Sequence, residues 1–204
     1  MDERDLPPTQ KGRRYELRAL GLRDFARLRD DLSRLDPHLL AAYAKLLVVD
    51  FEKIEGLNEA TRELLLGNAK DSWSGGAASH TLPSGEKLII LNPTHKKNRH
   101  AATLMEEICH VFLGHRPSRL AIETKDQDGN VKARDYDAAV EEEAYSTGAA
   151  ALVPYSGLQK LVGRGLTAAQ IARHYGVSRA LVEYRLKVTR LWSVYTDNIF
   201  NPDT

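Results

Sequence analysis

The 204-residue chain has a single cysteine, so no disulfide can close within it and no zinc finger or ribbon can be assembled from thiolates. It has no surplus of either charge, with 29 lysines and arginines against 28 aspartates and glutamates. The overall field therefore calls for neither nucleic acid nor an anionic membrane, and any such role must rest on a local patch. Long apolar runs are missing as well, which excludes a membrane-spanning helix by hydropathy and implies no membrane partner. The opening residues, MDERDLPPTQKGRR, lack the apolar stretch of a signal peptide. Together these absences lead to the expectation of a soluble, cytoplasmic protein. The length suffices for one domain with a sizeable core and a small helical appendage.

The polar start, with its Pro7-Pro8 pair, predicts a mobile tail over residues 1–14, with order beginning near Tyr15. Phe25, Leu28, Leu32 and Leu35 recur at helical spacing. Asp36 and Pro37 then read as the cap and first residue of a second helix, expected to turn Leu39, Leu40, Tyr43, Leu46 and Leu47 inward. Asn58 predicts the cap of a short helix that stops at Gly67. The Pro83-Ser84-Gly85 turn separates two extended stretches, the second running from Leu88 to Leu91, and predicts a hairpin. A helix is expected from Lys97 to Leu113, ending at Gly114. The polar segment 116–137, with its Asp128-Gly129-Asn130 turn signal, reads as a second hairpin or a long surface loop. Beyond it comes a helix dense in small residues, closed before Pro154, and then two helices, Thr167 to His174 and Ser178 to Val194. The expected units are a main domain over 15–155 and a helical subdomain over 156–204 packed on it.

Residues 106–110, EEICH, hold most of the chemistry. The H-E-x-x-H pattern sets two histidines at i and i+4 on one helical face to bind a metal, beside a glutamate that serves as general base. Here Glu106 takes the first ligand position, Glu107 the base position and His110 the second ligand position. A third ligand must come from elsewhere, and Glu141, Glu142 and Glu143 stand in a row on the small-residue helix. Taken singly, each acidic cluster reads as a solvated helix face and His115 as a helix-end residue meeting the dipole. The same residues 107–110 also spell E-x-x-H, which di-iron bundles use twice, but only one copy is present. Cys109 as a nucleophile beside His110 is weaker, because adjacent helical residues diverge by about 100°.

RHAATLMEEICHVFLGH, preceded by SGEKLIILNP and followed by EEEAYSTGAAALVP, resembles the ImmA/IrrE family of metallopeptidases. In that family a strand ending in Asn-Pro leads into an H-E-x-x-H-x-x-L-G-H helix, and a later helix reads E-x-x-A before a run of small residues. The terminal LTAAQIARHYGVSRALVEYRL is similar to the family's closing helices. The resemblance implies an α+β, zincin-like fold: a small antiparallel sheet packed on helices, with a C-terminal helical pair resembling a helix-turn-helix. It makes Glu107 the general base and His110 and Glu141 metal ligands, with Glu106 replacing the first histidine and His115 supporting the set. The implied cofactor is one divalent metal, zinc foremost, with manganese or iron as alternatives. The implied partner is a regulatory protein substrate, a repressor or antitoxin, aligned along an edge strand at Leu88, Ile89, Ile90 and Leu91.

Two carboxylates and one imidazole would neutralise a divalent ion, weakening its pull on water relative to two imidazoles and one carboxylate. Three outcomes stay open: an active peptidase with an unusual ligand set, a slow metal-binding enzyme, and a catalytically silent protein-binding or DNA-associated regulator. The last draws on 167–190, since residues 164–190 hold six lysines and arginines against Glu183 alone. The favoured reading there is structural: Ile171, Ala172, Val177, Leu181, Val182 and Leu186 pack the pair against the body, so nucleic acid is not expected as a partner.

Overall fold

The computed structural model describes residues 5–115 and 138–200. Helix α1 (Gln10–Phe25) starts at Thr9, whose side chain accepts a hydrogen bond from the Gly12 N–H at 3.0 Å. Such a cap satisfies a backbone donor that the first turn leaves open. Ordered helix therefore begins five residues ahead of Tyr15, and the expected 1–14 tail is too long. The helix stops at Phe25, where Arg27 enters the left-handed region at φ 59°. Phe25, Leu28, Leu32 and Leu35 consequently do not share a helix, although Leu35 is buried.

Helix α2 (Pro37–Tyr43) begins as expected, with the Asp36 side chain accepting from the His38 N–H. It is short. Lys45 turns left-handed at φ 55° and the chain continues as strand β1 (Leu46–Val49), so Leu39 and Tyr43 are left 62% and 67% exposed. Helix α3 (Glu59–Leu66) is capped by Asn58 and ends at Gly67, as read from the sequence.

Strands β2 (Gly75–Thr81) and β3 (Lys87–Leu91) form the expected hairpin. The sheet, however, has the order β1-β3-β2, with β1 parallel to β3. It is mixed rather than antiparallel, and β3 is its middle strand. The edge-strand role expected for Leu88, Ile89, Ile90 and Leu91 therefore fails, because β3 pairs on both sides and Ile89 and Leu91 are core residues. Among the described residues, β1 and β2 are the two edges. At the end of β3, Asn92 is fully buried and donates from Nδ2 to the Lys70 and Trp73 carbonyls at 2.7 and 2.9 Å. Asn92 thus pins the loop before β2 to the strand.

Helix α4 (Lys97–Phe112) lies against α5 (Ala138–Leu152). A Cβ on Gly148 would stand 3.3 Å from the Met105 backbone, tighter than ordinary contact. The buried run Gly148 to Ala151 is therefore what lets the two helices approach closely. The hairpin or loop expected over 116–137 lies outside the described residues.

Pro154 does not simply end α5; it caps α6 (Tyr155–Gly163), a helix with no counterpart in the sequence reading. Helix α7 (Ala168–Tyr175) carries a Thr167/Gln170 capping box. Helix α8 (Arg179–Val188) is capped by Ser178, and α9 (Trp192–Phe200) follows. The single helix expected from Ser178 to Val194 is broken where Arg190 takes φ 61°. One apolar cluster runs from Ala19 through Ile89, Ile108 and Ala150 to Leu191.

Charged groups cross that core. Arg185 Nη2 donates to Glu16 Oε2 at 2.6 Å and Arg185 Nε donates to the Val153 carbonyl at 3.0 Å, while Glu16 Oε1 accepts from the Tyr155 N–H at 2.6 Å. Arg185 is thus withdrawn from the basic face of the terminal pair, and Arg179 is matched to Glu183 at 2.6 Å. We expect electrophoretic titration with random duplex DNA at physiological salt to give no tighter than the weak association, about 10⁻⁴ to 10⁻⁶ M, of non-specific binding. Submicromolar, sequence-selective binding weakened by Arg179→Ala would contradict a purely structural role for α7 and α8. No helix among the described residues is long and apolar enough to cross a membrane.

Candidate metal centre

Helix α4 buries Leu104, Met105, Ile108 and Cys109 in the core, which leaves Glu106, Glu107 and His110 half-buried on its other side. The i, i+4 spacing puts Glu106 and His110 on one face. Glu141, in the first turn of α5, stands opposite. One ligand atom from each of Glu106, His110 and Glu141 lies within 4.8 Å of the other two, and His110 Nε2 is 3.6 Å from Glu141 Oε2.

The donor set suits a divalent ion. Zinc accepts imidazole nitrogen and carboxylate oxygen at about 2.0–2.2 Å, so tetrahedral neighbours sit roughly 3.4 Å apart. The His110–Glu141 separation is close to that value, and the 4.8 Å limit needs only side-chain adjustment. Glu106 and Glu107 of α4 share one cleft of about 440 Å³ with Glu141 and Glu142 of α5. Carboxylates at such a density are offset most directly by a cation. The volume falls within the roughly 300–1,000 Å³ common among ligand pockets.

Glu106, Glu107 and His110 share one side of α4, as their spacing implies, and α5 brings Glu141, the residue the family resemblance named, to them. Leu88, Ile89, Ile90 and Leu91 are not among the described residues lining the cleft. Cys109 is fully buried, and burial, then the Glu106 charge, pushes its thiol far above the ordinary range. That leaves a protonated sulfur with no role as a nucleophile. Among the described residues, Glu106, His110 and Glu141 form the one group that could hold a metal ion, so a second E-x-x-H half of a di-iron site is not found there.

His115 ends up beside the cluster. Its Nδ1 lies 3.1 Å from His110 Nδ1, and its Nε2 lies 3.1 Å from Glu143 Oε2. Glu143 also pairs with Arg18 and, at 3.5 Å, with Arg14, both from α1. Burial alone would raise the Glu143 carboxyl. The hydrogen bonds from His115 and Arg18, helped by the arginine charges, outweigh it and hold the group below the usual carboxylate range.

Three features escape the sequence reading. Glu143 was one of three equivalent glutamates, yet Lys11, Arg14 and Arg18 recur at i, i+3 and i+7, a basic stripe that selects Glu142 and Glu143 as its partners. Tyr145 lines the cleft and follows Glu141 by one helical turn. Burial, with lesser contributions from Tyr184 and Glu106, raises its hydroxyl pKa and so keeps it a proton donor. Trp73 and Gly75 form the opposite rim, where the Asn92 hydrogen bonds hold the loop.

Neither a curated protein nor a solved structure matched the chain. A family model did, that of the IrrE N-terminal-like domain of peptidase family M78, over residues 67–187. This stretch includes β2, β3, both helices of the cluster, and α7. More than half of the chain is matched, and it belongs to the IrrE N-terminal-like family of metallopeptidase-like proteins.

Proposed function

We propose that Glu106, His110 and Glu141 hold one divalent ion, zinc foremost with manganese or iron as alternatives, and that the protein is an endopeptidase cutting a regulatory protein such as a repressor or antitoxin. The carrying observation is the convergence of three donor atoms from two helices within 4.8 Å at the wall of an acidic cleft. An ion held there supplies Lewis acidity to the scissile carbonyl and the attacking water. Glu107, on the same wall, takes the proton from that water and returns it to the departing amine. Tyr145, kept protonated, offers a donor to the carbonyl oxygen as negative charge gathers on it. An extended substrate pairs with β2, whose first residue, Gly75, lines the cleft.

Elemental analysis of the purified protein tests the ligands. About one divalent ion per chain is expected, lost in His110→Ala and in Glu141→Ala. Glu107→Gln should keep the ion while slowing hydrolysis of a denatured, labelled protein by about 10²–10⁴-fold, the scale of a missing general base. Full metal occupancy in His110→Ala would sink the assignment.

A further inference from the structure

Tyr145 stands one turn after Glu141 on α5 and lines the same cleft. Among the described residues no hydrogen bond engages its hydroxyl, so whatever aims this side chain acts on the ring. Tyr184 of α8 does so. The two rings lie 5.1 Å apart and 65° from parallel, inside the roughly 4.5–7 Å at which edge-to-face aromatic pairs attract.

Tyr184 is itself fixed at its far end, where its hydroxyl lies 2.8 Å from Ser146 Oγ. Ser146 comes one residue after Tyr145 and so about 100° further round α5, and it is buried on the side that meets α8. The next residue of α8, Arg185, is bonded in the core to Glu16 and to the Val153 carbonyl. Helix α8 therefore cannot slide or turn past α5 without breaking buried hydrogen bonds, and the Tyr184 ring is a rigid wall for Tyr145. A half-buried side chain on a helix otherwise exchanges between staggered rotamers, and a swing about χ1 would carry the Tyr145 hydroxyl, at the far end of its ring, out of the cleft.

We propose that Tyr184, anchored on Ser146, is a positioning residue that holds the Tyr145 ring in one rotamer, so that its hydroxyl stays in the cleft as the donor to the scissile carbonyl. The inference rests on the role proposed above for Tyr145, and it adds the residues that keep that donor in place before a substrate arrives. Prior placement matters because a donor stabilises developing charge most when nothing has to reorganise at the moment of reaction.

Two measurements decide it, and the first needs neither metal nor substrate. Three-bond couplings in the isotope-labelled full-length chain report how many χ1 rotamers Tyr145 occupies. One is expected in the wild type and in Tyr184→Phe, which keeps the ring, and an average over several in Tyr184→Leu. The second is turnover of the denatured, labelled protein. Tyr145→Phe should lower kcat by about 10²–10³-fold, the scale of a missing donor to an oxyanion, and Tyr184→Leu by up to about 10²-fold, that of a misplaced group, with KM little changed in either. Ser146→Ala and Tyr184→Phe, which remove only the anchor, should act in the same direction by a smaller factor. Adding Tyr184→Leu to Tyr145→Phe should lower kcat no further, since no hydroxyl is left to place, whereas a general structural loss would multiply. A Tyr145 that keeps one rotamer in Tyr184→Leu, or losses that multiply in the double variant, would overturn the proposal. A wild type that binds its ion yet hydrolyses nothing would instead overturn the peptidase reading, and the couplings would still decide whether Tyr184 holds Tyr145.

Discussion

Arg185→Met is expected to lower stability by about 3–5 kcal/mol, the cost of removing one partner from a buried ion pair. The side chains of Arg185 and Glu16 are 4% and 1% exposed and 2.6 Å apart. With the guanidinium gone, Glu16 Oε2 and the Val153 carbonyl both lose their donor in a region that water does not reach. The loss falls on the junction of α1, α6 and α8. Urea unfolding followed by far-ultraviolet circular dichroism measures it as a lowered midpoint. Replacing both partners, Glu16→Leu with Arg185→Met, should recover much of the loss, since an apolar pair of similar volume carries no unpaired charge. The Tyr155 N–H, which donates to Glu16 Oε1, would keep the recovery incomplete. A single variant as stable as wild type would mean that the core admits water at this pair.

Glu106→His is the second large effect, in the direction of gain. Because Glu106 shares the 4.8 Å cluster with His110 and Glu141, an imidazole here would remove one negative charge from the proposed ligand set and leave more of a bound ion's Lewis acidity for the substrate. Zinc affinity should hold or rise, and hydrolysis should increase or appear, with its alkaline optimum moved to lower pH. The ring needs an acceptor for its second nitrogen, which Glu107 or Tyr145 on the same wall can provide. Glu106→Ala is the control, and it should weaken metal binding by more than about tenfold, the scale that even indirect partners of a metal site reach. A folded Glu106→His protein with unchanged metal content, metal preference and activity would show that the Glu106 carboxylate takes no part in binding.

What the sequence disclosed followed the range of the interactions involved. The i, i+4 pair of α4, the caps at Asp36, Asn58 and Ser178, and the turn at Gly85 are all local, and each stands where its neighbours imply. Strand β1 was hidden because Leu39, Leu40, Tyr43, Leu46 and Leu47 keep a helical period across it. What ends the helix is the left-handed backbone at Lys45, and what makes the following residues a strand is pairing with β3, some forty residues on. The central place of β3 was unreadable for the same reason. In the cluster, His110 and the E-x-x-A glutamate were legible from spacing and resemblance. The choice of Glu143 for His115 depends on α1, more than a hundred residues away in sequence, where no local pattern reaches.

The family-matched stretch begins at residue 67, whereas β1, which hydrogen-bonds along one side of β3, lies at Leu46–Val49. A chain shortened to the matched residues would expose the other flank of Lys87–Leu91 as a row of bare N–H and C=O groups beside an apolar Leu-Ile-Ile-Leu run. Such a flank is a template for strand addition from a second molecule. The residues ahead of the matched stretch thus cover that flank of β3 from within the same chain, and among the described residues the outer side of β1 becomes the sheet edge in its place.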